Sequence, residues 1–195
     1  MPRAGVDTEK VILTAAAITD ESGFDAVTLK EISRRLGVSS PSLYKHIGSL
    51  GELKERVSHY AMKQLKDRLV RAVLGRSGVD AFREIGMAYI RFAREHAGLY
   101  ETMQWMNVAA DVPEESMFSD VVQLIYDIGA ALGADELEAS HIIRTVRSMV
   151  HGFASTESHK GFAHESSVES SYEYALETFL LGVQARRETE NGKTS

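Results

Sequence analysis

Residues 28–47 read Thr-Leu-Lys-Glu-Ile-Ser-Arg-Arg-Leu-Gly-Val-Ser-Ser-Pro-Ser-Leu-Tyr-Lys-His-Ile. Thr28 is a strong helix N-cap, and Glu31 three residues on makes a Thr-x-x-Glu capping box. Leu29, Ile32 and Leu36 fall at core spacing along the helix that follows. Gly37 ends it, because a residue without Cβ takes left-handed backbone at little cost. Ser39 or Ser40 can then cap a third helix. Pro41 suits its first position, and Gly48-Ser49 closes it after Ile47. Two short helices joined by a glycine turn and braced by a preceding helix make a helix-turn-helix. Val38 plugs the angle, and Leu43 and Ile47, four apart, anchor the last helix to the core. Ser39, Ser40, Pro41, Ser42, Tyr44, Lys45 and His46 are left facing outward.

Helical hairpins of this kind also occur in proteins that never meet DNA. Here the exposed helix is rich in Ser, Tyr, Lys and His, and an exposed tyrosine makes little sense as packing. Small residues let a helix end approach base edges in the major groove. Tyr44, Lys45 and His46 have the reach to hold phosphates. Thr28 opens the helix before, so its hydroxyl and the first amides there add a phosphate contact. Charge points the same way. Residues 28–74 carry 10 Lys and Arg against 4 Asp and Glu, whereas residues 75–195 carry 10 against 19. A basic segment ahead of an acidic body suits contact with a polyanion at one end.

Outward from this stretch the pattern is helical, with no strand-like alternation. A first helix is expected over Thr8–Ser22, with Val11, Ala15, Ala16 and Ile18 inward and Gly23 as a left-handed stop. A long helix follows over 50–74, and Gly75-Arg76-Ser77-Gly78 marks a break. Further helices are expected over 79–95, 99–106, 113–132, 135–158 and 168–187, with a loop at 159–167 and a frayed end at 188–195. The fold class is all-α: a three-helix helix-turn-helix domain over 7–67, then a helical bundle over 77–188.

Composition narrows the chemistry. The chain has 195 residues, 44% apolar and 26% charged, which supports a real core and excludes wholesale disorder. It has no cysteine, which removes disulfides, thiolate zinc sites and cysteine nucleophiles together. No apolar run approaches the ~18 residues of a membrane span, and Met1–Gly5 lacks the apolar core of a signal peptide. A cytoplasmic protein with no membrane partner is expected. There is no Gly-rich phosphate loop, Gly-x-Ser-x-Gly elbow or His-Glu-x-x-His helix, so no catalytic residues, enzyme activity or cofactor are expected. His159, His164 and Glu157 lack the fixed spacing of a metal site, and none is expected.

Taken together, Ile12 to Val57 resembles the DNA-binding domain of the TetR family of transcriptional regulators. The likeness is carried by Gly23-Phe24, Thr28 with Glu31-Ile32, Leu36-Gly37-Val38-Ser39, Leu43-Tyr44-Lys45-His46 and Ser49 through Leu53. Ile47 stands where Phe is usual, a conservative core exchange. Leu50 stands where Lys is common, so a side-chain phosphate contact is lost while its backbone N–H remains. A second likeness, over Arg147-Ser148-Met149-Val150-His151-Gly152-Phe153 with Glu157 and Lys160-Gly161-Phe162, is to the C-terminal domain type named for a Trp-His-Gly motif. Val150 replaces its Trp.

The resemblance implies a ligand-responsive repressor that binds a pseudo-palindromic operator on double-stranded DNA. It also implies a cavity in the C-terminal domain for a small apolar or aromatic effector. Trp105, Met103 and Met106 would form its wall, with Phe92, Tyr100, Phe118 and His151 as further candidates. The same side chains would equally fill a core, and His151 would equally be a satisfied core group. The family dimerises through its last two helices. Here Tyr172, Leu176, Phe179, Leu180 and Val183 form one apolar stripe and Ala175, Leu181 and Gly182 a second, more than one surface helix needs. Leu50 leaves open a helical binding module that no longer meets DNA, and the residues do not separate a repressor from an activator.

Overall fold

The computed structural model describes residues 6–104, 123, 126–128, 130, 133–163 and 166–193. The chain forms two compact units, one of residues 1–66 with 95–117 and the other of residues 67–94 with 118–195. Among the described residues no helix is long and apolar enough to cross a membrane.

In the first unit, α1 (Thr8–Ser22) starts where the Asp7 carboxylate accepts the Lys10 N–H at 2.8 Å. Gly23 ends it at φ 84°, ψ 164°, so the stop is extended backbone of positive φ rather than the left-handed helical turn expected. After a 3₁₀ turn over Phe24–Ala26 come α2 (Leu29–Leu36) and α3 (Ser40–Leu43). Gly37, at φ 65° and ψ 34°, takes the expected left-handed conformation between them. Val11, Ala15, Ile18, Ile32, Leu43 and Ile47 are buried, while Leu29, Leu36 and Val38 are half-buried. The third helix is shorter than expected. Past Leu43 the Lys45 and His46 amides bond the carbonyls three residues back, of Ser42 at 3.3 Å and Leu43 at 2.8 Å, and Ile47 N–H returns to Leu43 O at 3.1 Å, which tightens the chain into a turn.

The long helix α4 covers Leu50–Val73. The first unit also holds α6 (Ala97–Gln104), which begins two residues earlier than expected. It packs on the end of α1 without any side chain between: a Cβ on Gly98 would lie 2.0 Å from Thr19 O. Asp20 ties the two helices. Its carboxylate receives His96 Nδ1 at 2.5 Å and lies 3.5 Å from the Leu99 N–H, acting as a cap for α6 from another helix.

The second unit is built on α5 (Gly78–Glu95), α7 (Glu136–Ser158) and α8 (Val168–Lys193). Tyr172 of α8 is fully buried, and its hydroxyl donates to Phe82 O at 2.9 Å. Its ring lies over Gly86, where a Cβ would meet Cζ at 2.1 Å. Arg94 bridges Glu157 at 2.8 Å and Glu169 at 2.7 Å. The last helix runs on to Lys193, past the end expected at 187. Arg187 is held there by two bonds from Nε and Nη2 to Glu138 Oε2, at 2.8 and 2.6 Å. Most of the helix expected over 113–132 lies outside the described residues.

Candidate nucleic-acid interface

The sequence candidates for DNA contact gather on α2, α3 and the turn after it. Thr28, Ser39, Pro41, Tyr44 and Lys45 are exposed, and Ser40, Ser42 and His46 half-buried. Tyr44 shows 57% of its surface, large for an aromatic. Among the described residues Lys45 pairs with no carboxylate, so its charge is available. The exposed side of the turn is held in place from beneath. Leu43 and Ile47 fill the core, and Thr8 Oγ1 of α1 donates to His46 O at 3.3 Å.

Thr28 caps α2 as its sequence promises: its Oγ1 accepts the Glu31 N–H at 3.2 Å. The reciprocal half of the capping box is replaced by ion pairs. The Glu31 carboxylate takes Nε and Nη2 of Arg34 at 2.8 and 2.6 Å and Nε of Arg35 at 2.9 Å. Two guanidinium groups around it, Arg34 foremost, lower the Glu31 pKa from 4.5 to about 2. Arg35 also binds Glu21 at 2.8 Å. Arg34 and Arg35 are therefore matched locally, whereas Lys30 and Lys45, both exposed, pair with no carboxylate among the described residues.

Three features lie beyond the sequence reading. Ser33, on α2 and nearly buried, places its Oγ 2.9 Å from Ser40 Oγ. No spacing rule marks such a pair across a turn. Ser49 and Glu52 form a Ser-x-x-Glu cap at the start of α4, a signal that the residues do carry. Ser49 Oγ accepts the Glu52 N–H at 3.0 Å, and Glu52 Oε2 accepts the Gly48 N–H at 2.9 Å. That backbone bond, then Arg56, lowers the Glu52 pKa. Lys54 stands 4.7 Å over the Phe24 ring and 3.6 Å from Asp25.

The effector candidates divide between the units. Phe92, in the second, is fully buried with the Arg68 guanidinium 5.4 Å above its ring, and His151 is half-buried on α7. Tyr100 and Met103, in the first, are buried on α6. Trp105, Met106 and Phe118 lie outside the described residues, as does His164. Glu157 is taken up by Arg94, and His159 Nδ1 contacts Ser155 O at 2.8 Å. On α8 the two apolar stripes separate. Of the first stripe, Tyr172, Leu176 and Leu180 are buried within the chain itself and belong to its core, whereas Phe179 and Val183 are half-buried. Leu181 is 65% exposed and Gly182 is open.

Comparison with known proteins agrees with this arrangement. Residues 11–56 match the model of bacterial regulatory proteins of the tetR family, and residues 82–179 match a tetracyclin repressor-like C-terminal domain. The uncharacterized HTH-type transcriptional regulator YobS of Bacillus subtilis is 29% identical over 184 residues, covering 93% of this chain and 95% of that protein. Among solved structures, a protein with unknown function from Rhodococcus sp. RHA1 superposes with a TM-score of 0.76 at 22% identity, over 93% of this chain and 98% of the other. A TetR variant from Acinetobacter baumannii AYE, in complex with minocycline, gives 0.66 at 17% identity, over 94% and 99%. At these identities the structural matches speak for the fold.

Proposed function

The chain belongs to the TetR family of bacterial regulatory proteins, and on that premise we propose that it is a repressor released from its operator by a small molecule. It is a DNA-binding transcriptional regulator with residues 7–67 as the reading head and residues 77–188 as the effector and dimerisation domain. Ser39, Ser40, Pro41 and Ser42 approach base edges in the major groove. Thr28, Tyr44, Lys45 and His46 hold the backbone on either side. A regulator of this kind works in the cytoplasm, beside the chromosome.

The observation that carries this reading is the exposed Tyr44–Lys45 pair on a turn whose other face, Leu43 and Ile47, is locked in the core. Two heads in a homodimer would meet half-sites about 34–36 Å apart. The dimer forms through α7 and α8. In support, Leu137, Tyr174 and Leu181 are 70%, 75% and 65% exposed in the single chain, and a Cβ added at Gly152 or Gly182 would meet no neighbouring element within 4 Å. The effector is small and apolar or aromatic. Phe92 and His151 of the second unit and, separately, Tyr100 and Met103 of the first are its candidate contacts. It acts by favouring one spacing of the two heads over another. The likeness to the Trp-His-Gly type draws support from Phe153 and Phe162, which stack with ring centres 6.1 Å apart.

The test is binding to the DNA upstream of the chain's own gene, measured against salt. Changing Tyr44→Phe with Lys45→Ala is expected to weaken binding to all sequences and to reduce the log–log salt slope by about 1, the loss of one phosphate contact. Binding and slope unchanged by the double substitution would defeat the assignment.

A further inference from the structure

The reading head, on the assignment above, meets base edges with hydroxyl groups, and the protons of two of those hydroxyls are already committed. Ser33 is nearly buried, and its Oγ donates to Lys30 O at 3.0 Å. A hydroxyl has a single proton, and a carbonyl can only accept it. The same Oγ lies 2.9 Å from Ser40 Oγ. With its proton spent on Lys30, Ser33 can only accept there, so Ser40 donates inward. The opposite order would leave the Lys30 contact unfilled and make one bond where two fit. Ser42 is committed in a different way: its Oγ donates to Ser39 O at 2.6 Å. Its N–H reaches the same carbonyl at 3.0 Å. Pro41, between them, has no N–H at all.

What Ser40 and Ser42 offer outward is therefore lone pairs. We propose that both serines read DNA as acceptors only, selecting the amino hydrogens of cytosine N4 or adenine N6. Ser33, which touches no base, sets the preference at Ser40 by holding its proton. Opposite guanine O6 and N7 or thymine O4, an inward-turned hydroxyl sets lone pair against lone pair, so those edges are rejected. Ser39 is a control within the same turn. Its side chain makes no capping bond, so its hydroxyl rotates to suit either kind of edge.

The experiment is selection of bound duplexes from a random pool by the full chain, for the natural protein and for Ser33→Ala and Ser40→Ala. The natural protein is expected to enrich cytosine or adenine about fivefold over guanine or thymine at one operator position, the ratio that follows from the net worth of one hydrogen bond. Ser40→Ala abolishes that preference and leaves the other positions alone. Ser33→Ala frees the Ser40 proton, so the fivefold preference at the same position is lost or turns towards guanine and thymine. In the double variant Ser33→Ala adds nothing. A Ser40-dependent preference for guanine or thymine in the natural protein would overturn the inference. So would a Ser33→Ala variant, folded by circular dichroism, whose base preferences equal the natural ones. Should Ser33→Ala fail to fold, the base lost in Ser40→Ala decides the matter alone. A pool with no enrichment by the natural protein would refute the DNA-reading assignment, and the inference with it.

Discussion

Gly98→Ala tests how the first unit is held together. In a helix interior this exchange ordinarily stabilises by up to about 1 kcal/mol, because alanine loses less backbone entropy. Here the added methyl would lie 2.0 Å from Thr19 O and 2.9 Å from Asp20 Cα, where ordinary contact begins at 3.4 Å. Both are backbone atoms, so no side chain can swing away, and α6 must withdraw by more than an ångström. That withdrawal stretches the His96–Asp20 contact, 2.5 Å in the native packing, and the Leu99 N–H contact at 3.5 Å. Overpacking costs about 1–3 kcal/mol, and a hydrogen bond to a charged group is worth about 1.5–3 kcal/mol. Against a propensity gain of about 1 kcal/mol, the net is a loss of about 1.5–5 kcal/mol. For a chain of this length that lowers Tm by roughly 3–20 °C. Gly51→Ala is the matched control, since its methyl would meet only Ser49 Oγ at 3.7 Å. It is expected to leave Tm unchanged or raise it. Thermal melts of both variants by circular dichroism decide the question, and a Gly98→Ala Tm equal to or above the natural one would refute the close packing of α6 on α1.

Glu31 should titrate near pH 2 in the folded chain, read by carboxyl NMR, and near its ordinary 4.5 once Arg34 and Arg35 are both replaced by alanine. Because its folded pKa is depressed, the stability it contributes is present above pH 4.5 and is lost as pH falls towards 2. An ordinary midpoint in the natural protein would contradict the double guanidinium clamp. Burial pushes the Tyr172 phenol above its usual 10. The group stays neutral in the fold, and stability falls as pH rises past 10, so absorbance should show one tyrosine ionising only on unfolding. Tyr172→Phe should cost about 1 kcal/mol, the net worth of its bond to Phe82 O, whereas Gly86→Ala should cost several times more because its methyl enters the Tyr172 ring. Equal melting shifts for the two would refute that packing. Leu181→Arg should shift the oligomer towards monomer in sedimentation without lowering the monomer's helix content. An unchanged dimer would remove α8 from the interface.

The helix-turn-helix is legible because its signals are local. Thr28, Gly37 and the four-residue step from Leu43 to Ile47 each act within one turn of chain, and the structure places them as expected. The exposure of Ser39, Pro41, Tyr44 and Lys45 follows from the same periodicity, whereas Ser40, Ser42 and His46, expected outward, are half-buried. What escapes the sequence depends on neighbours beyond the local pattern. Spacing makes Glu31 half of a capping box, but Arg34 and Arg35 draw its carboxylate elsewhere. Periodicity puts Tyr172, Leu176 and Leu180 on a stripe without saying what covers it, and α5 buries Tyr172 through Gly86 and Phe82. Glu138, 49 residues away in sequence, holds Arg187 on the last helix, a pairing that no local pattern marks.

Helix identity, the head's register and its outward residues are properties of the sequence by itself, since capping, glycine turns and a 3.6-residue period operate over a few residues. Which apolar stripe is covered and which remains open, and the direction in which the Ser40 proton points, belong to the tertiary structure. Burial and hydrogen-bond polarity depend on what the folded chain brings alongside, and no local rule contains that information.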